Sequence, residues 1–260
     1  MARTPSLFVS HGAPSLALED GLSRDFLLSL GQRLGKPRAI VCVSAHWETP
    51  AVNVGLAAHP ETIHDFYGFP PELYQLRYPA AGDPALGRRV LQLLSGAGLP
   101  AVGDETRGFD HGVWSPLILI YPDADVPVVE ISVQTRLDAA HHIKVGRALA
   151  PLREEGVLIM GSGSTTHNLR EIGRTGPDGG PSEYYAAFEK WVCDAVTQGR
   201  TEDLTDFERL APHARRNHPT PEHFLPLFAP LGAAGDGAKG EVLNRHFEFG
   251  TLSMAAFLWA

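Results

Sequence analysis

The chain reads as an α/β fold: a single-domain three-layer sandwich with a central mixed sheet and a metal site at the carboxyl ends of the strands. Three observations predict it. Apolar runs alternate with stretches of helical periodicity, and several of those runs are apolar at consecutive positions, as strands covered on both faces are. Three of the runs lead into a histidine, SLFVS-His11, AIVCVSA-His46 and VLIMGSGSTT-His167. Open α/β sheets form their crevices at strand carboxyl ends, so imidazoles delivered there from separate strands can converge on one point.

In chain order, strands are expected at 6–10, 38–45, 51–57, 126–133 and 156–161, and helices at 20–34, 83–95, 138–150 and 182–197. Asp83-Pro84 offers an N-cap followed by proline in the first turn, and Ser182, after Pro181, caps the last of these helices. Residues 241–258 alternate around Val242, Leu243, Phe247 and Phe249, which suits a closing antiparallel pair turning at Gly250. The Gly/Pro-rich stretches 173–181 and 232–240 read as exposed connections. Two loops, 59–70 and 108–114, combine polar and aromatic residues, a composition suited to binding at the rim of a sheet.

Composition narrows the partners. Of 260 residues, 43% are hydrophobic and 20% charged, which suits one ordinary buried core, so residues 1–260 are expected to form a single catalytic domain. A net charge of -8 argues against nucleic acid, whose non-specific binding needs clustered Lys and Arg. The first apolar run is too short for a signal peptide or a membrane span, so a cytoplasmic protein without membrane attachment is expected, as a monomer or small homo-oligomer. Cys42 and Cys193 lack a CxxC pairing and read as buried apolar side chains.

Most of the twelve histidines have bland settings. His141-His142, early in a helix, reads as a capping or surface pair, and His213 and His246 as structural. His11, His46 and His167 differ because each follows a strand-like run beside small residues; neutral imidazole is the commonest ligand of divalent transition metals. A fourth candidate lies in His218-Pro-Thr-Pro-Glu222-His223, where adjacent Glu222 and His223 point in different directions, so at most one of them ligates. Glu222 would complete a 2-His-1-carboxylate site suited to non-haem Fe(II), whereas His223 would make an all-nitrogen site that also suits zinc. Gly161-Ser-Gly-Ser164 resembles a phosphate-binding turn, but Thr166 stands where GxGxxG needs its third glycine and no Walker-type lysine follows. No GxSxG elbow occurs, which disfavours a serine hydrolase.

Seven segments in order, SHGAPSL (10–16), SAHWET (44–49), TIHDFYGFP (62–70), GFDHGVWSPL (108–117), ISVQ (131–134), GSGSTTHNL (161–169) and NHPTPEHFLPL (217–227), together resemble the DODA-type aromatic ring-opening dioxygenases. These are the LigB-like, class III extradiol enzymes that include bacterial and plant DOPA dioxygenases.

The resemblance implies a metal-dependent enzyme that opens a catechol such as DOPA with O2. Carried over, His11, His46 and His223 match metal histidines, and His167 matches a site histidine that acts as acid–base group or fourth ligand. His111 is expected to act on substrate, with His64 hydrogen-bonding it and Phe66, Phe69 and Trp114 packing its ring. The chain departs from the branch whose last ligand is glutamate, so Fe(II) is expected for activity and Zn(II) as a ready occupant of purified protein. Two rival readings are a non-enzymatic, metal-containing interaction protein like the Memo proteins of the same fold, and a zinc hydrolase with Glu222 as base.

Overall fold

A computed structural model describes residues 3–176 and 180–260; residues 177–179 of the expected 173–181 connection lie outside the described residues. An eight-stranded mixed sheet runs through the molecule in the order β4-β3-β5-β2-β6-β1-β10-β7. Its strands are β1 (Ser6–Ser10), β2 (Ala39–Glu48), β3 (Val52–Gly55), β4 (Ala101–Asp104), β5 (Val128–Val133), β6 (Val157–Gly163), β7 (Glu241–Asn244) and β10 (Ala256–Trp259). The short β8 (Phe247–Glu248) and β9 (Leu252–Ser253) pair antiparallel about Gly250, whose φ of 69° is where a residue without Cβ turns most easily. The C-terminal pairing expected from sequence thus forms, with β10 between β1 and β7.

The parallel heart of the sheet sets the site. β2 pairs in parallel with both β5 and β6, and β6 pairs in parallel with β1. The carboxyl ends of β1, β2 and β6 therefore lie side by side, with Ser10 opposite Gly163 and Ser44 opposite Ser162. Side chains of β2 alternate between two cores: Val41 and Val43 pack on one face, Ile40 and Cys42 on the other. The first face is covered by α2 (Pro84–Gly96), α4 (Ala139–Leu149), α5 (Glu183–Gln198) and the helix Phe228–Ala234; the second by α1 (Leu22–Leu34) and α3 (His111–Ile120). This is the three-layer sandwich.

Several expectations need correcting. Residues 108–114 are not all loop, because α3 begins at His111. Nine of its ten residues are buried, so it carries no polar face and no helical period to read. Residues 232–234 belong to a buried helix instead of an exposed connection. That helix lies so close to α4 that a Cβ on Gly146 would meet the Ala229 carbonyl oxygen at 2.0 Å. His46 is not past its strand: β2 continues to Glu48, although its ladder with β6 ends at Ser44. Ser182 sits at the N-cap of α5 without a side-chain cap bond, whereas Asp83 accepts from the Leu86 backbone N–H as expected. His142 is buried, not a surface residue; its Nδ1–H donates to the Asp138 carbonyl and its Nε2 accepts from the Gln134 backbone N–H. Among the described residues no helix is long and apolar enough to cross a membrane.

Candidate metal centre

Three imidazoles from three distant segments meet above the strand ends. His46 Nε2 lies 3.1 Å from His11 Nε2 and 3.3 Å from His223 Nε2, and one ligand atom from each ring falls within 4.8 Å of the others. His11 follows β1 directly, and its backbone N–H donates to the Gly163 carbonyl on β6. His223 arrives on a turn that rides over β6. A Cβ on Gly161 would meet the Pro226 carbonyl oxygen at 2.0 Å, and one on Gly163 would meet that of His223 at 2.1 Å. The two glycines therefore make room for a crossing backbone, and the phosphate-turn reading of 161–164 falls because that space is filled.

The backs of the rings decide their tautomers. Ser162 Oγ spends its hydrogen on the Gly112 carbonyl, so it can only accept from His11 Nδ1, 3.0 Å away. The Glu222 carboxylate likewise accepts from His223 Nδ1 at 3.0 Å. A neutral imidazole carries one proton, so both Nε2 atoms turn bare lone pairs toward His46 Nε2, which could satisfy at most one of them. A cation satisfies all three. Imidazole nitrogens about 2.0–2.1 Å from a shared ion lie roughly 2.9–3.4 Å apart at right-angled to tetrahedral geometry, which brackets both separations. The donor set fits a divalent transition metal.

Burial keeps these rings neutral, the form that ligates. Desolvation first, and neighbouring imidazoles second, hold His11 and His223 well below the ordinary histidine value; burial and His111 bring His46 to about 4. His167 is also lowered to about 4, by burial and then His218.

Residues 6–258 match the model of a family described as the catalytic LigB subunit of aromatic ring-opening dioxygenase. The chain belongs to the LigB family. It is 44% identical to the 4,5-DOPA dioxygenase extradiol of Beta vulgaris over 97% of this chain and 95% of that one. It is 43% identical to the protein of the same name from Escherichia coli (strain K12), over 97% and 93%. The crystal structure of an uncharacterized Escherichia coli K12 protein superposes with a TM-score of 0.82 at 36% identity, covering 99% of this chain and all of that one. This LigB-family chain is an extradiol ring-cleaving dioxygenase, and the family is metal-dependent.

Not every residue singled out in this dioxygenase's sequence reaches the cluster. His167 is outside that group of three; it lies flat against His223, with its Nδ1 4.0 Å from Glu222 Oε1, and forms with those two residues a second group whose potential ligand atoms lie within 4.8 Å of one another. His111 does come close: its ring centroid is 3.8 Å from that of His46, at the first position of α3. Phe66 meets His111 edge-on at 5.7 Å and Phe69 packs on Phe66 at 5.3 Å. His64 packs edge-on against Phe66 at 5.7 Å, its Nε2–H donating to the Leu76 carbonyl. Trp114 corrects its expected role: it is fully buried and donates to the Ile63 carbonyl, so it backs Phe66 and offers substrate no surface. His218 is buried on the Thr165 carbonyl, outside the cluster. Glu222 stands behind His223, a ring-orienting position and not that of a base facing a metal-bound water.

Sequence reasoning missed the carboxylates under the cluster. Asp110 receives Ser44 Oγ at 2.6 Å and Arg107, and Arg107 also reaches buried Glu130 at 3.2 Å and the His46 carbonyl at 3.4 Å. Burial, then Asp110, push Glu130 well above the usual carboxylate range, with Arg107 opposing. A signal existed: Glu130 is the one charge inside a strand of otherwise uncharged, mostly apolar residues, and such a residue needs a buried partner.

Proposed function

We propose that the chain opens the ring of a DOPA-like catechol with O2 at a single metal held by Nε2 of His11, His46 and His223. The observation that carries this reading is the convergence of three imidazoles whose lone pairs no protein hydrogen can satisfy together. Fe(II) is the working metal in this reading; Zn(II) would fit the same nitrogens but has no redox chemistry.

When bound, the metal supplies a chelating point for both catechol oxygens and the electron route to O2. The protein's residues do the rest. Phe66 and Phe69 give the aromatic ring an edge to pack against beside His111. His111, next to His46, hydrogen-bonds a substrate oxygen. His167, resting on His223 at the edge of the cluster, moves the proton that the catechol gives up and later needs back, a task imidazole performs well. DOPA itself enters this reading from the names of the relatives.

The test is anaerobic loading with Fe(II), followed by oxygen uptake against a panel that includes DOPA, catechol and a monophenol. Uptake with the catechols and none with the monophenol is expected. Equal uptake with all three, or with none, would overturn the proposal.

A further inference from the structure

One carboxylate faces two of the clustered rings at once. Asp65 Oδ1 lies 2.9 Å from His111 Nδ1 and accepts the His111 backbone N–H at 3.0 Å, while Oδ2 lies 3.3 Å from His46 Nδ1. The two ring contacts are close approaches at ion-pair distance and not hydrogen bonds. The buried His111 Nδ1 makes no hydrogen bond among the described residues, and the Asp65 carboxylate at 2.9 Å is the anion that faces it.

We infer that Asp65 is a positioning residue that fixes the tautomers of His46 and His111 together, coupling a metal-holding ring to the substrate-facing ring. The inference rests on the roles just proposed for those two histidines. An ionised carboxylate only accepts, so a ring nitrogen held against it carries the proton. Both rings are then Nδ1–H, and both Nε2 atoms are bare. At His46 the bare Nε2 is the metal donor. At His111 it makes the ring an acceptor for a substrate hydroxyl, not a donor to a substrate oxygen.

The placement is firm because Asp65 is tied to a rigid element. It takes the first backbone N–H of α3, where the helix dipole favours an anion, and Phe66 beside it packs on His111. Asp110, at the N-cap of α3, makes no side-chain cap bond; its carboxylate serves Ser44 and Arg107 instead. Asp65 therefore serves the helix and the rings together.

Asp65→Asn separates a latch from a tautomer switch. The amide oxygen can still accept from the His111 backbone, so a latch survives. Its NH2 then faces His46 Nδ1 and donates, which drives the His46 proton to Nε2 and removes the metal lone pair. Zinc affinity, measured by chelator competition, should fall roughly 10- to 100-fold, the usual cost of losing an outer carboxylate on a metal histidine. The thermal midpoint of the metal-free protein should stay near wild type. Unchanged zinc affinity in a folded Asp65→Asn variant overturns the inference.

Nitrogen-15 shifts of the wild-type zinc form give an answer even if the variant does not fold: protonated Nδ1 at both His46 and His111 supports the inference, and bare Nδ1 at either overturns it. His46→Ala distinguishes the two levels of the account. If that variant keeps its zinc, the metal site itself has been misassigned; if it loses zinc while Asp65→Asn does not, only the role of Asp65 fails.

Discussion

His167 lies flat on His223, ring centroids 3.4 Å apart and planes within 11°. Stacked in this way, it supports the face of a ring whose Nε2 points into the cluster and whose Nδ1 is held by Glu222. His167→Ala should therefore keep near-normal metal content and lower turnover by roughly 10²- to 10⁴-fold, the range for loss of a proton-transfer group. Elemental analysis with steady-state kinetics reads both quantities. Loss of the metal would make His167 a ligand, and normal turnover would leave it with neither role.

Removing a ring of the cluster should act on metal content first. His11→Ala and His46→Ala should each bind far less Fe(II) or zinc than wild type, because two nitrogens remain where three converge. Metal content equal to wild type in either variant would contradict the site.

Backbone crossing over β6 makes a prediction free of chemistry. Gly163→Ala places a methyl about where the His223 carbonyl now sits, at 2.1 Å, so the 223–226 turn must move. A cost of about 1–3 kcal/mol is expected from overpacking, together with weaker metal binding as His223 is displaced. Denaturant melts and chelator competition check the two effects; a variant as stable as wild type would show that the turn is loosely held.

Buried neutral histidines make the metal-free protein acid-labile. His142 and His218, both outside the cluster, are held at about 4 chiefly by burial, against 6.5 for a free side chain. Between those values the unfolded chain binds protons that the folded chain refuses. Their stabilising contribution is complete above pH ~6.5 and is lost as pH falls toward 4. Each contributes up to about 3 kcal/mol. Urea melts of metal-free protein at about pH 7.5 and about pH 5 should show a lower midpoint at the lower pH, and equal midpoints would contradict the burial of these rings.

Much of this was legible in the sequence because it depends on local pattern. The consecutive apolar runs 6–10 and 156–161 mark strands buried on both faces, and the histidines that follow them mark strand ends. α3 was hidden by the same physics that makes runs readable: a helix buried all round has no polar stripe, and Pro116 inside it argues locally against a helix. The short edge strand Ala101–Asp104 has too little apolar sequence to announce itself. Asp65 is an ordinary loop acid in one dimension, and Glu222 stood out there only as a possible ligand or base; only folding puts them behind His46 and His223. Trp114 shows the converse limit, since an aromatic in a binding-loop motif turned out to be core.

The proposed choice of Fe(II) over zinc rests on redox chemistry. The zinc form should bind as tightly as the three nitrogens allow yet consume no O2, and replacement by Fe(II) should restore uptake. Equal oxygen uptake by the zinc form would contradict the mechanism while leaving the site intact.

The central claim, ring opening by insertion of both atoms of O2 beside the catechol hydroxyls, is tested most directly by turnover of the Fe(II)-loaded protein with DOPA under oxygen-18 gas. Mass spectrometry and NMR of the product should show an opened ring, cleaved next to the pair of hydroxyl-bearing carbons and not between them, carrying both labelled oxygens before any exchange with water. A product with one labelled atom on an intact ring, or peroxide released with the catechol unchanged, would contradict the account.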